Sequence, residues 1–148
     1  MQELPKLNFP AVDLRLKEGP KGPQVWCETR RQWLVLTPEE WVRRHLVAWL
    51  VAVCGVPALS IVEEYPVSLN GQPQRADVVV VGRDAKPLLV AECKAAEVKI
   101  DQAVLDQVGR YNAVLKARYI FITNGKEHYA YELTEAGYRP LKQLPPLF

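Results

Sequence analysis

Apolar residues at Val42, Leu46, Trp49, Leu50 and Val53 recur three or four positions apart, the period of one helix face. Thr37-Pro38-Glu39-Glu40 precedes them, with Thr at the N-cap, Pro at the first helical position and Glu at the third, a capping box with a pre-set φ. Gly55 closes this helix and Pro57 prevents its continuation. Beyond it the pattern changes to strands. Ser60–Leu69 ends at Asn70-Gly71, a strong hairpin signal, and Arg75–Val81 returns. Residues 82–87 turn the chain again into Leu88–Ala95, which is apolar save for one acid and one base. A second helical period covers Ile100–Lys116, followed by strands at Arg118–Thr123 and His128–Leu133 around Asn124-Gly125. The expected order is α-β-β-β-α-β.

Decoration flanks this core. Residues 1–10, with two prolines, read as an extended arm. Val12–Leu16 alternates apolar and charged residues, the turn-rich Gly19–Pro23 follows, and Val25–Leu36 continues as extended chain anchored by Trp26 and Trp33. The expectation is an N-terminal arm and β-hairpin over residues 1–36, a core over 37–135 and a tail over 136–148. A length of 148 residues suits one domain able to bury a core, and 49% hydrophobic against 24% charged residues argues against disorder. The net charge of +2 neither demands nor excludes a nucleic-acid partner. Cys27, Cys54 and Cys93 form no CxxC pair, which suggests reduced thiols rather than zinc or disulfides and a cytoplasmic setting. Met1 to Phe9 lack the apolar run of a signal peptide, and Leu46–Val53 is too short to cross a bilayer.

The candidate chemistry lies in Leu88–Ala95. Strand side chains alternate, so Glu92 and Lys94 share one face while Cys93 points the other way. Charges in such a run are costly to bury unless paired or bound to metal. A structural Glu–Lys pair is one reading, and a metal-binding carboxylate with a companion lysine is the other. Asp77 favours the second. If residues 82–87 close an antiparallel hairpin, Asp77 lies near the Glu92–Lys94 end of the neighbouring strand. Two close carboxylates repel unless a cation sits between them. Mg²⁺ takes oxygen ligands, keeps several waters and lowers the pKa of bound water, and a lysine beside it can orient that water or stabilise developing charge. On the second helix, Gln107 and Tyr111 share a face with Ile100, Val104 and Leu115, either as a satisfied core pair or at the edge of the metal site. For Arg30, Arg31, Arg43, Arg44 and Arg75, a phosphate-binding rim and scattered surface arginines are both open readings. His45 and His128 belong to no metal-ligand spacing.

Together, Arg75-Ala76-Asp77, Glu92-Cys93-Lys94 and Gln107-Val108-Gly109-Arg110-Tyr111 resemble the PD-(D/E)XK nuclease superfamily with its QxxxY extension. Thr37–Arg43 and Thr123-Asn124-Gly125 resemble, more narrowly, the N-terminal nuclease domain of type I restriction enzyme R subunits in a small standalone form. The resemblance implies an α/β, restriction-endonuclease-like αβββαβ core: a central mixed sheet flanked by helices, with the N-terminal β-hairpin added. It implies Mg²⁺- or Mn²⁺-dependent hydrolysis of DNA, with Asp77 and Glu92 as metal ligands and Lys94 as the catalytic lysine. Gln107, Tyr111 and Arg75 would support the site or bind phosphate, and Glu40 is the candidate further ligand beside its capping role. Implied partners are DNA, a helicase or specificity subunit, and a second copy in a homodimer, with no membrane. Ala76 stands where the name-giving motif has Pro, and no GxxxxGK[ST] phosphate loop occurs, so the chain is not expected to translocate DNA alone. The alternative is a catalytically inactive nuclease fold serving as a DNA-binding or protein-docking module.

Overall fold

The computed structural model describes residues 4–148. Helix α1 spans Pro38–Ala52, with the Thr37 hydroxyl accepting the Glu40 amide at 3.1 Å as the N-cap requires. Strands β4 (Ile61–Leu69) and β5 (Gln72–Val81) form a hairpin whose two turn residues, Asn70 and Gly71, both take positive φ, the signature of a type I′ turn. Strand β6 (Pro87–Cys93) pairs antiparallel with β5, and helix α2 (Gln102–Leu115) carries the chain over to β7 (Tyr119–Thr123), parallel to β6. Strands β8 (His128–Thr134) and β9 (Gly137–Leu141) complete a six-stranded mixed sheet in the order β4-β5-β6-β7-β8-β9. This is the αβββαβ order that the hydrophobic pattern indicated, followed by the expected strand β8 and by one strand more, β9.

The two helices cover opposite faces. Val78, Val80, Leu89, Ala91 and Cys93 join Val42, Leu46 and Leu50 of α1 in one core. Val79, Val90, Ile120 and Ile122 join Val108 and Tyr111 of α2 in the other. Burial on both faces explains why β5 to β7 read as nearly unbroken apolar runs. Each fully buried Leu or Ile contributes about 1.5–3 kcal/mol.

The flanking segments depart from the expectation. The N-terminal piece is a three-stranded antiparallel sheet rather than a hairpin: β1 (Leu16–Gly19), β2 (Gly22–Cys27) and β3 (Gln32–Val35). The Gly19–Gly22 turn sets the register, so that the first strand starts at Leu16 instead of Val12. Trp26 and Trp33 are cross-strand neighbours, with the Arg15 guanidinium and the Lys17 ammonium over their rings. Of the proline-bearing arm, residues 1–3 lie outside the described residues. The next ones dock, with Leu7 buried against Gly125 and the Asn8 amide donating to the Gly125 carbonyl at 2.7 Å. At the other end, residues 137–141 are strand rather than tail, and Leu144, Leu147 and Phe148 pack on the α1 core. Helix α2 starts later than Ile100 because the Asp101 carboxylate caps it by accepting the Val104 amide. No helix among the described residues is long and apolar enough to cross a membrane.

Candidate metal site

The β5–β6 register pairs Val79 with Val90 and Val78 with Ala91, so one step further Asp77 falls opposite Glu92. Both side chains share the α2 face of the sheet by strand alternation, and Lys94 follows two residues after Glu92. Asp77 Oδ2 accepts the backbone amide of Cys93 at 2.8 Å, which ties the carboxylate to the end of β6. The Lys94 amide donates to the Thr123 carbonyl at 2.9 Å, which ties the next residue to β7. The β5, β6 and β7 backbones thus converge on one carboxylate pair and one ammonium.

Glu92 is only 6% exposed, and its Oε2 has no hydrogen-bond partner. Burial pushes its carboxyl up to about 9, helped by the hydrogen bond to Asp77 and by the Asp77 charge, while the Lys94 charge pulls the other way. Burial and the neighbouring Asp77 charge thus favour the protonated form of Glu92 in the metal-free protein. A buried carboxylate oxygen facing a second carboxylate, with no donor of its own, fits a hard divalent cation. Among the described residues no third His, Cys, Asp or Glu completes such a group as the side chains stand. Two carboxylates and water would make up the coordination, which suits Mg²⁺ or Mn²⁺.

Helix α2 closes one side of the site. Tyr111 is buried, and Gln107 Nε2 donates to its hydroxyl at 3.1 Å. Burial raises the Tyr111 phenol, and the negative charges of Glu92 and Asp77 raise it further, so it stays protonated and able to donate toward the acids or a bound phosphate. Gln107 and Tyr111 are thus both a satisfied pair and a wall of the carboxylate site. Arg75, just ahead of Asp77 on β5, is exposed. Cys93 faces the α1 core as its position in the strand required, and burial pushes its thiol up, which removes it as a nucleophile.

The structure draws Glu40 into a different cluster. Its carboxylate pairs with Arg43, with Arg44 at 3.3 Å and with Arg30 at 3.4 Å. The capping box is only half formed, because the Thr37 amide donates to the Val35 carbonyl and the Glu40 side chain turns away to these guanidinium groups. The same cluster contains Glu63, whose side chain is fully buried and pairs with Arg44, with Arg30 at 3.0 Å and with Arg43 at 3.6 Å. Arg44 also reaches the Cys27 sulfur at 2.9 Å, and the Thr29 hydroxyl bonds Glu63, so the cluster stitches the N-terminal sheet to α1 and β4. Arg43 and Arg44 are 8% and 3% exposed, which removes both from any phosphate-binding rim. Sequence reasoning passed over Glu63, although an acid at an inward position two residues after Ile61 called for a buried base, and Arg43-Arg44 sit at the helix positions that supply it.

Compared with known proteins, residues 38–145 match the family model described as type I restriction enzyme R protein N terminus. The search of curated proteins returned no match.

Proposed function

This chain belongs to the type I restriction enzyme R protein N-terminal family, a restriction-enzyme-related, nuclease-like domain, and from that premise we propose that it is a divalent-metal-dependent deoxyribonuclease acting at Asp77, Glu92 and Lys94. The observation that carries the reading is Glu92 Oε2, a buried carboxylate oxygen with no partner, set against a second carboxylate. Stability alone does not explain such an atom, because leaving a buried polar oxygen without a partner is costly. Mg²⁺ or Mn²⁺ bound there would polarise a phosphate and supply hydroxide at neutral pH.

The residues of the chain divide the remaining work. Asp77, fixed by the Cys93 amide, and Glu92 hold the cation. Lys94 brings a positive charge to the edge of the pair, where it orients the attacking water and offsets charge building on the phosphate. Tyr111, kept protonated and braced by Gln107, donates to the scissile phosphate or to an acid. Arg75, exposed beside Asp77, contacts the DNA backbone. The substrate class is DNA, and the working form is part of a complex that brings DNA to the site, as the family context suggests.

The test is cleavage of supercoiled, linear and single-stranded DNA in Mn²⁺, in Mg²⁺ and in EDTA, with Lys94→Ala run in parallel. Metal-dependent cutting by the native chain and at least about a hundredfold loss in Lys94→Ala, with an unchanged melting temperature, is the expected result. A folded protein that neither cuts DNA nor binds Mn²⁺ would overturn the reading and leave the docking module.

A further inference from the structure

Glu64 is the only non-glycine residue inside a strand, among the described residues, with backbone in the left-handed region, at φ 54°. The others with positive φ lie in turns, in a loop or at a helix end, where that conformation is ordinary. In a strand it is costly for any residue with a Cβ, and it persists only where the surroundings impose it. The location is specific. Glu63 pairs with Val78 and Tyr65 with Ala76, so Glu64 stands across β4–β5 from Asp77, at the one step where the ladder is interrupted. Its carboxylate is held at 2.7 Å by Nη1 of Arg43 and its side chain is 34% exposed, on the rim between the arginine cluster and the carboxylate pair.

Resting on the nuclease reading above, we propose that Glu64, and not Glu40, is the third carboxylate for the cation at Asp77 and Glu92. The partner lists of the two glutamates decide between them. Glu40 is bound by three guanidinium groups, two of them deeply buried, and removing it to a metal would strand those charges. Glu64 has one partner, Arg43, which keeps Glu40 and Glu63 when Glu64 leaves. The metal-free arrangement is therefore a parked state. Arg43 holds Glu64 aside, and a cation arriving between Asp77 and Glu92 exchanges with that guanidinium for the carboxylate. The independent sign that the site awaits a ligand is the unpartnered Oε2 of Glu92, in a residue more than nine-tenths buried.

The test is isothermal titration of the full chain with Mn²⁺, together with thermal melts in EDTA, for the native protein and Glu64→Gln, Glu64→Gly and Glu40→Gln. The native chain is expected to bind. Glu64→Gln should weaken Mn²⁺ binding by about tenfold or more, the size typical of losing a group that tunes a metal site. Glu64→Gly relieves the left-handed backbone, so it should melt no lower than Glu64→Gln in EDTA yet bind Mn²⁺ equally poorly. Glu40→Gln should melt lower and keep the native affinity. Native Mn²⁺ affinity in both Glu64 variants would overturn the proposal and reduce Glu64 to a structural partner of Arg43. Failure of the native chain itself to bind Mn²⁺ would instead sink the nuclease reading, and the proposal with it.

Discussion

Two clusters of buried charge lie on opposite faces of β4 to β6, and they are built to different rules. On the α1 face, Arg30, Arg43 and Arg44 meet Glu40 and Glu63, and each acid has at least two guanidinium partners. The Glu63 carboxyl is held below the usual range; its burial is outweighed by the charges and hydrogen bonds of Arg44, Thr29 and Arg30. On the α2 face, Glu92 and Asp77 have chiefly each other, and the Glu92 carboxyl is raised. One cluster is complete in the polypeptide alone. The other lacks a positive charge that Lys94, at its edge, does not fully supply. The same residue types at similar depth thus serve opposite ends, and the direction of the carboxyl shift separates them.

The sharpest way to break this comparison is to open the complete cluster. Arg44→Met should destabilise the fold by about 3–5 kcal/mol, since it takes a deeply buried guanidinium partner from both Glu63 and Glu40. Urea denaturation would measure the loss, and Mn²⁺ should not recover it. The reverse holds across the sheet. Glu92→Gln removes a carboxyl that must take up a proton to stay buried at pH 8, so in EDTA at pH 8 it should gain roughly 1–3 kcal/mol over the native chain while losing any stabilisation by Mn²⁺. An equal loss of stability in both variants would erase the distinction.

The pH dependence sharpens it further. In the folded metal-free chain Glu92 keeps its proton up to about 9, whereas in the unfolded chain it ionises near the ordinary carboxyl value of 4.5. Below that lower value both states hold the proton and the group contributes nothing to pH dependence. Between the two values the unfolded state binds fewer protons, so stability falls as pH rises. Thermal melts in EDTA from pH 5 to pH 9 should show that decline, and Glu92→Gln should flatten it. Mn²⁺ binding at neutral pH should release roughly one proton, which titration in buffers of different ionisation enthalpy would reveal. The smallest effect belongs to the helix cap, which touches the arginine cluster only through the Glu40 backbone amide. Thr37→Ala removes the α1 cap and should cost about 1 kcal/mol without altering Mn²⁺ affinity.

How much of this was legible in the sequence follows from the same contrast. Asp77, Glu92 and Lys94 stood out because a charge in an apolar strand violates the local pattern. The core elements did so because hairpin and capping residues mark their ends. Glu40 misled, since its helical position suits a cap, a ligand or an ion pair equally well and only the tertiary neighbours decide. Glu63 was missed because its arginine partners lie 19 to 33 residues away, beyond any local period. No glutamate announces a left-handed φ, so Glu64 was invisible as well. Strand β9 was hidden by Gly137 and Pro140, residues that argue against a central strand but are tolerated where one edge is free, as it is here.

The central claim is that the Asp77–Glu92 pair is a cation site. Its most direct test is the melting temperature of the native chain at pH 8 in EDTA and then in excess Mn²⁺, beside Glu92→Gln. At a hundredfold excess over the dissociation constant the account predicts about 2.7 kcal/mol of added stability, a rise of several degrees in the native chain and none in the variant. Identical melts of the native chain with and without Mn²⁺ would contradict it.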